Sequence, residues 1–124
     1  MRQLLSAYGG REIDNAGDGF LAAFDGPGRA IKCALAAVAA EREAGLVIRA
    51  GVHTGECEVL GDKLSGVAVH IGARIAALAA GGEVLVSRTV KDLVAGSRIE
   101  LKARGPASLK GIPGQWEIYA ATGA

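Results

Sequence analysis

Two hydrophobic periods alternate along this chain, and together they lay out its elements. Across residues 27–44, Ala30, Ile31, Ala34, Leu35 and Val38 fall on one helical stripe, and Gly45 supplies a C-terminal stop. Asp25-Gly26-Pro27 opens this helix, since proline is tolerated in a first turn. A second helix is predicted over residues 67–79, where Ile71, Ile75 and Leu78 form the core face and Gly81-Gly82 follows the end. Residues 11–15 and 20–24 read as two strands of a hairpin. Residues 46–53 are a β-branched run with buried-strand character, and residues 56–60 are expected to pair with it across Thr54-Gly55. Residues 83–86, 98–102 and 115–121 complete the strands, the last carrying Trp116 and Tyr119. A short helix capped by Ser87 or Thr89 runs through Val94. Residues 2–8 are helical in character but short, as if ending something longer. Helices and strands thus alternate without repeat or linker, which predicts an α/β (α+β) sandwich, one sheet with helices packed on a face.

Composition narrows this picture. A chain of 124 residues suits a single domain spanning residues 1–124, large enough for one core. Half of its residues are hydrophobic but only 4% are aromatic, so the core is aliphatic and a base-stacking surface for nucleic acid is not expected. A net charge of +1 supplies no basic stripe for duplex DNA, leaving a small anion gripped locally as the compatible ligand. The longest apolar run, Cys33 to Ala40, is far short of the roughly 20 residues that span a bilayer. MRQLLSAYGG lacks the layout of a signal peptide, so a cytoplasmic location is expected. Cys33 and Cys57 match no metal-ligand or disulfide spacing and are read as buried free thiols.

Three places carry candidate chemistry. In REIDNAGDGFLAAF, Asp18 sits between Gly17 and Gly19 at the tip of the expected hairpin, where a carboxylate faces solvent or an ion. On the second helix, His70 and Arg74 are four residues apart and project from one face, an arrangement suited to phosphate. Near the C-terminus, Ser108-Leu-Lys110-Gly-Ile-Pro113-Gly presents a lysine ammonium from a loop shaped by glycine and proline.

Taken in order, GDGFLAAF, IRAGVHTGE, GVAVHIGAR, GEVLVS and LKGIPG resemble the catalytic domain of class III nucleotidyl cyclases, most of all the bacterial adenylyl cyclases. The likeness runs from about Gly10 to Tyr119. It implies a ferredoxin-like βαββαβ core, one mainly antiparallel sheet with helices packed on it, working as a head-to-tail dimer with sites at the subunit interface. It also implies a purine nucleoside triphosphate as substrate, with the ribose 3′-oxygen attacking the α-phosphorus and expelling pyrophosphate, and two divalent ions, Mg²⁺ or Mn²⁺, as cofactors. By position, Asp18 is similar to the second of the family's two metal-binding aspartates. Arg74 falls at its transition-state arginine, Lys110 at its phosphate-binding lysine, and His70 where an asparagine commonly orients the ribose.

Two departures accompany the resemblance. The family's opening strand carries the first metal aspartate, and no Phe-Thr-Asp-Ile-like run precedes Arg11. That strand would be central in the sheet, so its neighbours are expected to lack a partner, to be covered by rearrangement, strand exchange or a second chain. The base-reading charges are exchanged: adenylyl cyclases have lysine where this chain has Asp14, and aspartate where it has Lys63. An acid at Asp14 suits guanine N1–H and N2–H₂, and Lys63 suits O6; the alternative is that both positions drifted. The expectation is therefore a cyclase-like domain whose ancestral reaction converts ATP to 3′,5′-cyclic AMP, with the isolated chain weak or inactive. The alternative is a non-catalytic pseudocyclase that pairs with an intact cyclase, as a heterodimer rather than a homodimer, or binds nucleotide.

Overall fold

The strand Val84–Ser87 is buried at all four positions, and its surroundings organise the molecule. The computed structural model describes residues 2–13, 20–61 and 63–124, with the backbone alone for Arg2. In chain order the elements are α1 (Arg2–Ala7), β1 (Arg11–Ile13), β2 (Leu21–Ala23), α2 (Pro27–Glu43), β3 (Ala50–Val52) and β4 (Glu58–Leu60). There follow β5 (Lys63–Ser65), α3 (Val67–Leu78), β6 (Val84–Ser87), α4 (Arg88–Leu93), β7 (Glu100–Ser108) and β8 (Gln115–Gly123). One ladder of four strands runs β3-β6-β8-β7, and β1-β2 and β4-β5 form two-stranded ladders of their own. Among the described residues the pairings are antiparallel except β3 with β6. This is the mixed α/β, largely antiparallel architecture that the sequence implies.

Side-chain alternation along β6 assigns the layers. Val84 and Val86 join Ile31 and Val38 of α2 and Val90 of α4 in one apolar cluster. Leu85, pointing the other way, joins Ile71 and Ile75 of α3, Leu109 and Ile118 in a second. Helices therefore cover both faces of β6, which is why its sequence is apolar at successive positions instead of alternating. Ile31, Ile75, Leu85 and Ile118 are fully buried, each contributing about 1.5–3 kcal/mol through burial.

Chain geometry at two glycines fixes how the helices meet the sheet. Gly45 has φ +86° and ends α2 with paired bonds, its N–H to Arg42 O at 3.0 Å and Leu46 N–H to Glu41 O at 2.8 Å. Gly51 of β3 lies against α3 so closely that a Cβ would come within 2.6 Å of Gly72 O and into contact with Ala76 N.

The expected hairpin of residues 11–24 is present, with Arg11 opposite Ala23 and Ile13 opposite Leu21. The expected pairing of residues 56–60 with residues 46–53 is not. β3 instead pairs in parallel with β6, Val52 opposite Val86, because Val52 and Ala50 share the α2 side of the core with Val84 and Val86. β4, exposed at every position, pairs locally with β5, Leu60 opposite Lys63. In the four-stranded ladder β3 is an edge, and the β1-β2 hairpin is not joined to it among the described residues. Cys33 is buried as expected, whereas Cys57 is exposed, its thiol facing Gly55 O at 3.7 Å. Burial raises the pKa of the Cys33 thiol.

Candidate functional site

Helix α3 separates core from chemistry by its period. Ala68, Ile71 and Ile75 are buried, whereas His70 and Arg74 are exposed one turn apart. Leu78, expected on the core face, is 39% exposed, and Ala79 is buried in its place. The helix ends at Leu78, and the extended backbone of Ala79, φ −70° and ψ 143°, turns that residue inward.

Lys110 is presented to solvent between two residues that anchor its loop. Leu109 is buried against Ile71 and Ile75 of α3, and Ile112 packs on the same cluster. The loop closes on itself through Ile112 N–H to Leu109 O at 2.9 Å and Trp116 Nε1–H to Pro113 O at 3.3 Å. The second core cluster thus fastens the Lys110 loop to the helix bearing His70 and Arg74. None of these three side chains has a hydrogen bond or ion pair with the described residues, in contrast to Arg104, whose guanidinium is engaged. Two cations and an imidazole left free on one layer can meet a phosphate without first breaking an internal pair.

Lys63 begins β5, exposed, opposite Leu60 and just ahead of α3. Asp14 and Asp18 lie outside the described residues, so the base-reading pair and the metal carboxylate are known here from sequence alone. Among the described residues no group of three or more His, Cys, Asp or Glu side chains is placed to hold a metal ion.

Two polar arrangements escaped sequence reasoning. At the far end of α3, Glu83 accepts the Ala80 N–H at 2.9 Å and the Arg104 Nε–H at 2.9 Å, clamping β7 to the turn after the helix. Hydrogen bonding from Arg104, then from Ala80, holds the Glu83 carboxyl below the ordinary carboxylate range. At the other end, His53 follows β3 directly, and its Nδ1 lies 2.7 Å from Oγ of the fully buried Ser87. The His53 ring also meets Trp116 edge-on, with centroids 5.8 Å apart. Partial burial lowers the His53 pKa. The one available signal is register: if residues 52 and 86 are opposite, 53 and 87 must be neighbours.

Similarity to known proteins extends over nearly the whole chain. Residues 1–123 match the family described as the adenylate and guanylate cyclase catalytic domain. A putative adenylate cyclase of Rhizobium meliloti is 34% identical over 104 residues, covering 77% of this chain and 18% of the relative. The chain spans 38% or less of the length of the first curated relatives that it matches. The adenylate/guanylate cyclase/hydrolase of Silicibacter pomeroyi superposes with a TM-score of 0.86 at 23% identity, over 99% of this chain and 77% of that one. The guanylate cyclase domain of RhGC from Catenaria anguillulae, in complex with GTP, superposes with a TM-score of 0.83 at 21% identity, over 98% and 77%. Since the family match extends over nearly every residue and the superpositions reproduce the whole fold, the chain belongs to the adenylate and guanylate cyclase catalytic domain family.

Proposed function

We propose that this domain supplies one half of a nucleotidyl cyclase site, contributing His70, Arg74 and Lys110 to a purine nucleoside triphosphate bound between two catalytic domains. The supporting observation is the division of α3: Ile71 and Ile75 lock the helix to the Lys110 loop, while His70 and Arg74 stay exposed and unpaired.

In the ancestral reaction the 3′-oxygen of ATP bonds to the α-phosphorus, the bond to the β-phosphate oxygen breaks, and pyrophosphate leaves as the 3′-hydroxyl loses its proton. Arg74 offers planar donors to the charge that develops on the α-phosphoryl oxygens. Lys110 neutralises the terminal phosphates as a point charge, and His70 orients the ribose. Asp18 would hold Mg²⁺ or Mn²⁺ together with phosphate oxygens, supplying charge neutralisation. Asp14 and Lys63 would face the base, with a pattern that suits guanine better than adenine. Because the site is shared between two domains, activity is expected to depend on a partner domain, a homodimer mate or an intact cyclase.

The test measures cyclic nucleotide production with Mn²⁺ and either ATP or GTP. It uses this chain alone, then mixed with an intact cyclase whose residue equivalent to Arg74 is alanine. Activity that appears on mixing is the expected result. Silence in both conditions, with a heterodimer demonstrated by sedimentation, would refute the half-site. Substantial activity of the chain under conditions where sedimentation shows it to be monomeric would refute its dependence on a partner.

A further inference from the structure

We propose that His53 is a positioning residue, whose imidazole holds the Lys110 loop in register with the helix that carries Arg74. The inference rests on the roles given above to Lys110 and Arg74.

His53 stands where three segments converge. Because β3 and β6 run parallel with Val52 opposite Val86, the next residue of each strand, His53 and Ser87, are neighbours on the α3 side of the sheet. Gly72, midway between His70 and Arg74 on α3, has no side chain, and a Cβ there would lie 3.9 Å from His53 Cβ. Across the ring stands Trp116, whose Nε1–H binds Pro113 O in the Lys110 loop. One side chain therefore binds the base of α4 and meets the residue that closes the Lys110 loop, with its Cβ facing Gly72 of the helix that bears His70 and Arg74.

The hydrogen bonds give the ring a single orientation. Ser87 is fully buried, and its Oγ accepts the Val90 N–H at 3.3 Å as the N-cap of α4. Its own proton needs an acceptor inside the fold, and Nδ1 of neutral His53, at 2.7 Å, provides it. This places the imidazole proton on Nε2 and fixes the ring plane against Trp116, with an interplanar angle of 82°. A free ring would rotate about χ2, and the edge contact that steadies Trp116 would go with it.

A double-mutant cycle tests this without requiring turnover. Dissociation constants are measured for the α,β-methylene triphosphate analogues of adenosine and guanosine with Mg²⁺, at a chain concentration where sedimentation shows it paired, using the tighter binder and the emission of Trp116, the sole tryptophan. Lys110→Ala is expected to weaken binding about tenfold, His53→Phe to weaken it similarly, and the double variant to bind no worse than about twofold below either single variant. His53→Asn, which returns an acceptor near the Nδ1 position, should stay within about threefold of the unsubstituted chain. Should His53→Phe fail to fold, His53→Gln fills the space without an acceptor at Nδ1 and takes its place in the cycle, with the same expectation. Losses that simply add, or a His53→Phe chain that binds normally, overturn the positioning role while leaving Lys110 a phosphate ligand. A Lys110→Ala chain that binds normally, or an unsubstituted chain that binds neither analogue, overturns the reading of the site and the inference with it.

Discussion

At the scale of single residues, the described part of the domain keeps its cations in two conditions. Arg104 is committed to Glu83, whereas Arg74, Lys110 and Lys63 point outward without partners. In the proposed site Arg74 and Lys110 are the cations offered to the polyphosphate, and Lys63 the one offered to the base. Two titrations follow from the committed groups. His53 has a lowered pKa in the folded chain, so the unfolded chain takes up the proton first. Its contribution to stability is complete above the ordinary imidazole value of about 6.5 and is lost as pH falls from there toward the folded value. Glu83 behaves in the same sense at lower pH: its carboxyl is depressed, so its contribution is present above about 4.3 and lost in more acidic solution. The melting temperature should therefore fall between pH 7 and pH 5, and less steeply in His53→Asn. Melting curves across that range check this, and identical slopes for the two proteins would contradict it. The groups packed on His53, namely Ser87, Trp116 and Gly72, carry no charge that would reverse the sign.

At the scale of elements, helices were the most legible part of the sequence, because an apolar stripe at the helical period ended by glycine has few other readings. α2 and α3 begin where expected and end within a residue of their predicted limits. Of the two caps that the sequence offers for α4, Ser87 and Thr89, it is Ser87 that accepts the Val90 N–H. Strand pairing was less legible, since pairing depends on contacts distant in sequence. The partner of residues 50–52 is thirty-four positions away in β6, and the crossover that brings it there is α3 itself. Gly61-Asp62 between two short runs is a turn signal for the β4-β5 ribbon, but neither run alternates clearly enough to announce a strand. β7 extends to Ser108, beyond the expected residues 98–102, because a register shift between Ala103 and Gly105 absorbs the glycine, and Pro106 is tolerated on an edge strand.

The same reasoning divides the candidate site. His70 and Arg74 were legible from their spacing on a helix together with the family resemblance. His53 was not, since a lone histidine after a strand has no signature until its register with Ser87 is known. Contact between β3 and α3 gives the element-scale prediction. A Cβ at Gly51 would enter backbone atoms of Gly72 and Ala76, which cannot withdraw as a flexible side chain would. Gly51→Ala should destabilise the domain by about 1–3 kcal/mol through overpacking and push α3, with its exposed His70 and Arg74, off the sheet. Chemical denaturation measures the loss, and a variant as stable as the parent would show that the strand and helix are not in this contact.

At the scale of the whole molecule, a small aliphatic core supports two functions in separate layers. The α2 side packs Ile31, Val38 and the β6 valines, while the α3 side fastens a helix and a loop whose polar tips remain outside. In the proposed function that layer is completed by a nucleotide and a facing domain. Among the described residues the four-stranded ladder ends at β3, and the β1-β2 hairpin is not joined to it. The domain is therefore expected to fold by itself and to act in company.

Its central claim is that Arg74 is delivered to a triphosphate held between two domains. The most direct measurement replaces Arg74 by alanine in this chain and repeats the mixing assay with the cyclase whose own equivalent arginine is absent. Arg74 is exposed and unpaired, so Arg74→Ala should leave the melting temperature unchanged while lowering the cyclic nucleotide formed on mixing by about 10²–10³-fold, the scale of a lost oxyanion donor. Activity on mixing that is indifferent to Arg74→Ala would contradict the account.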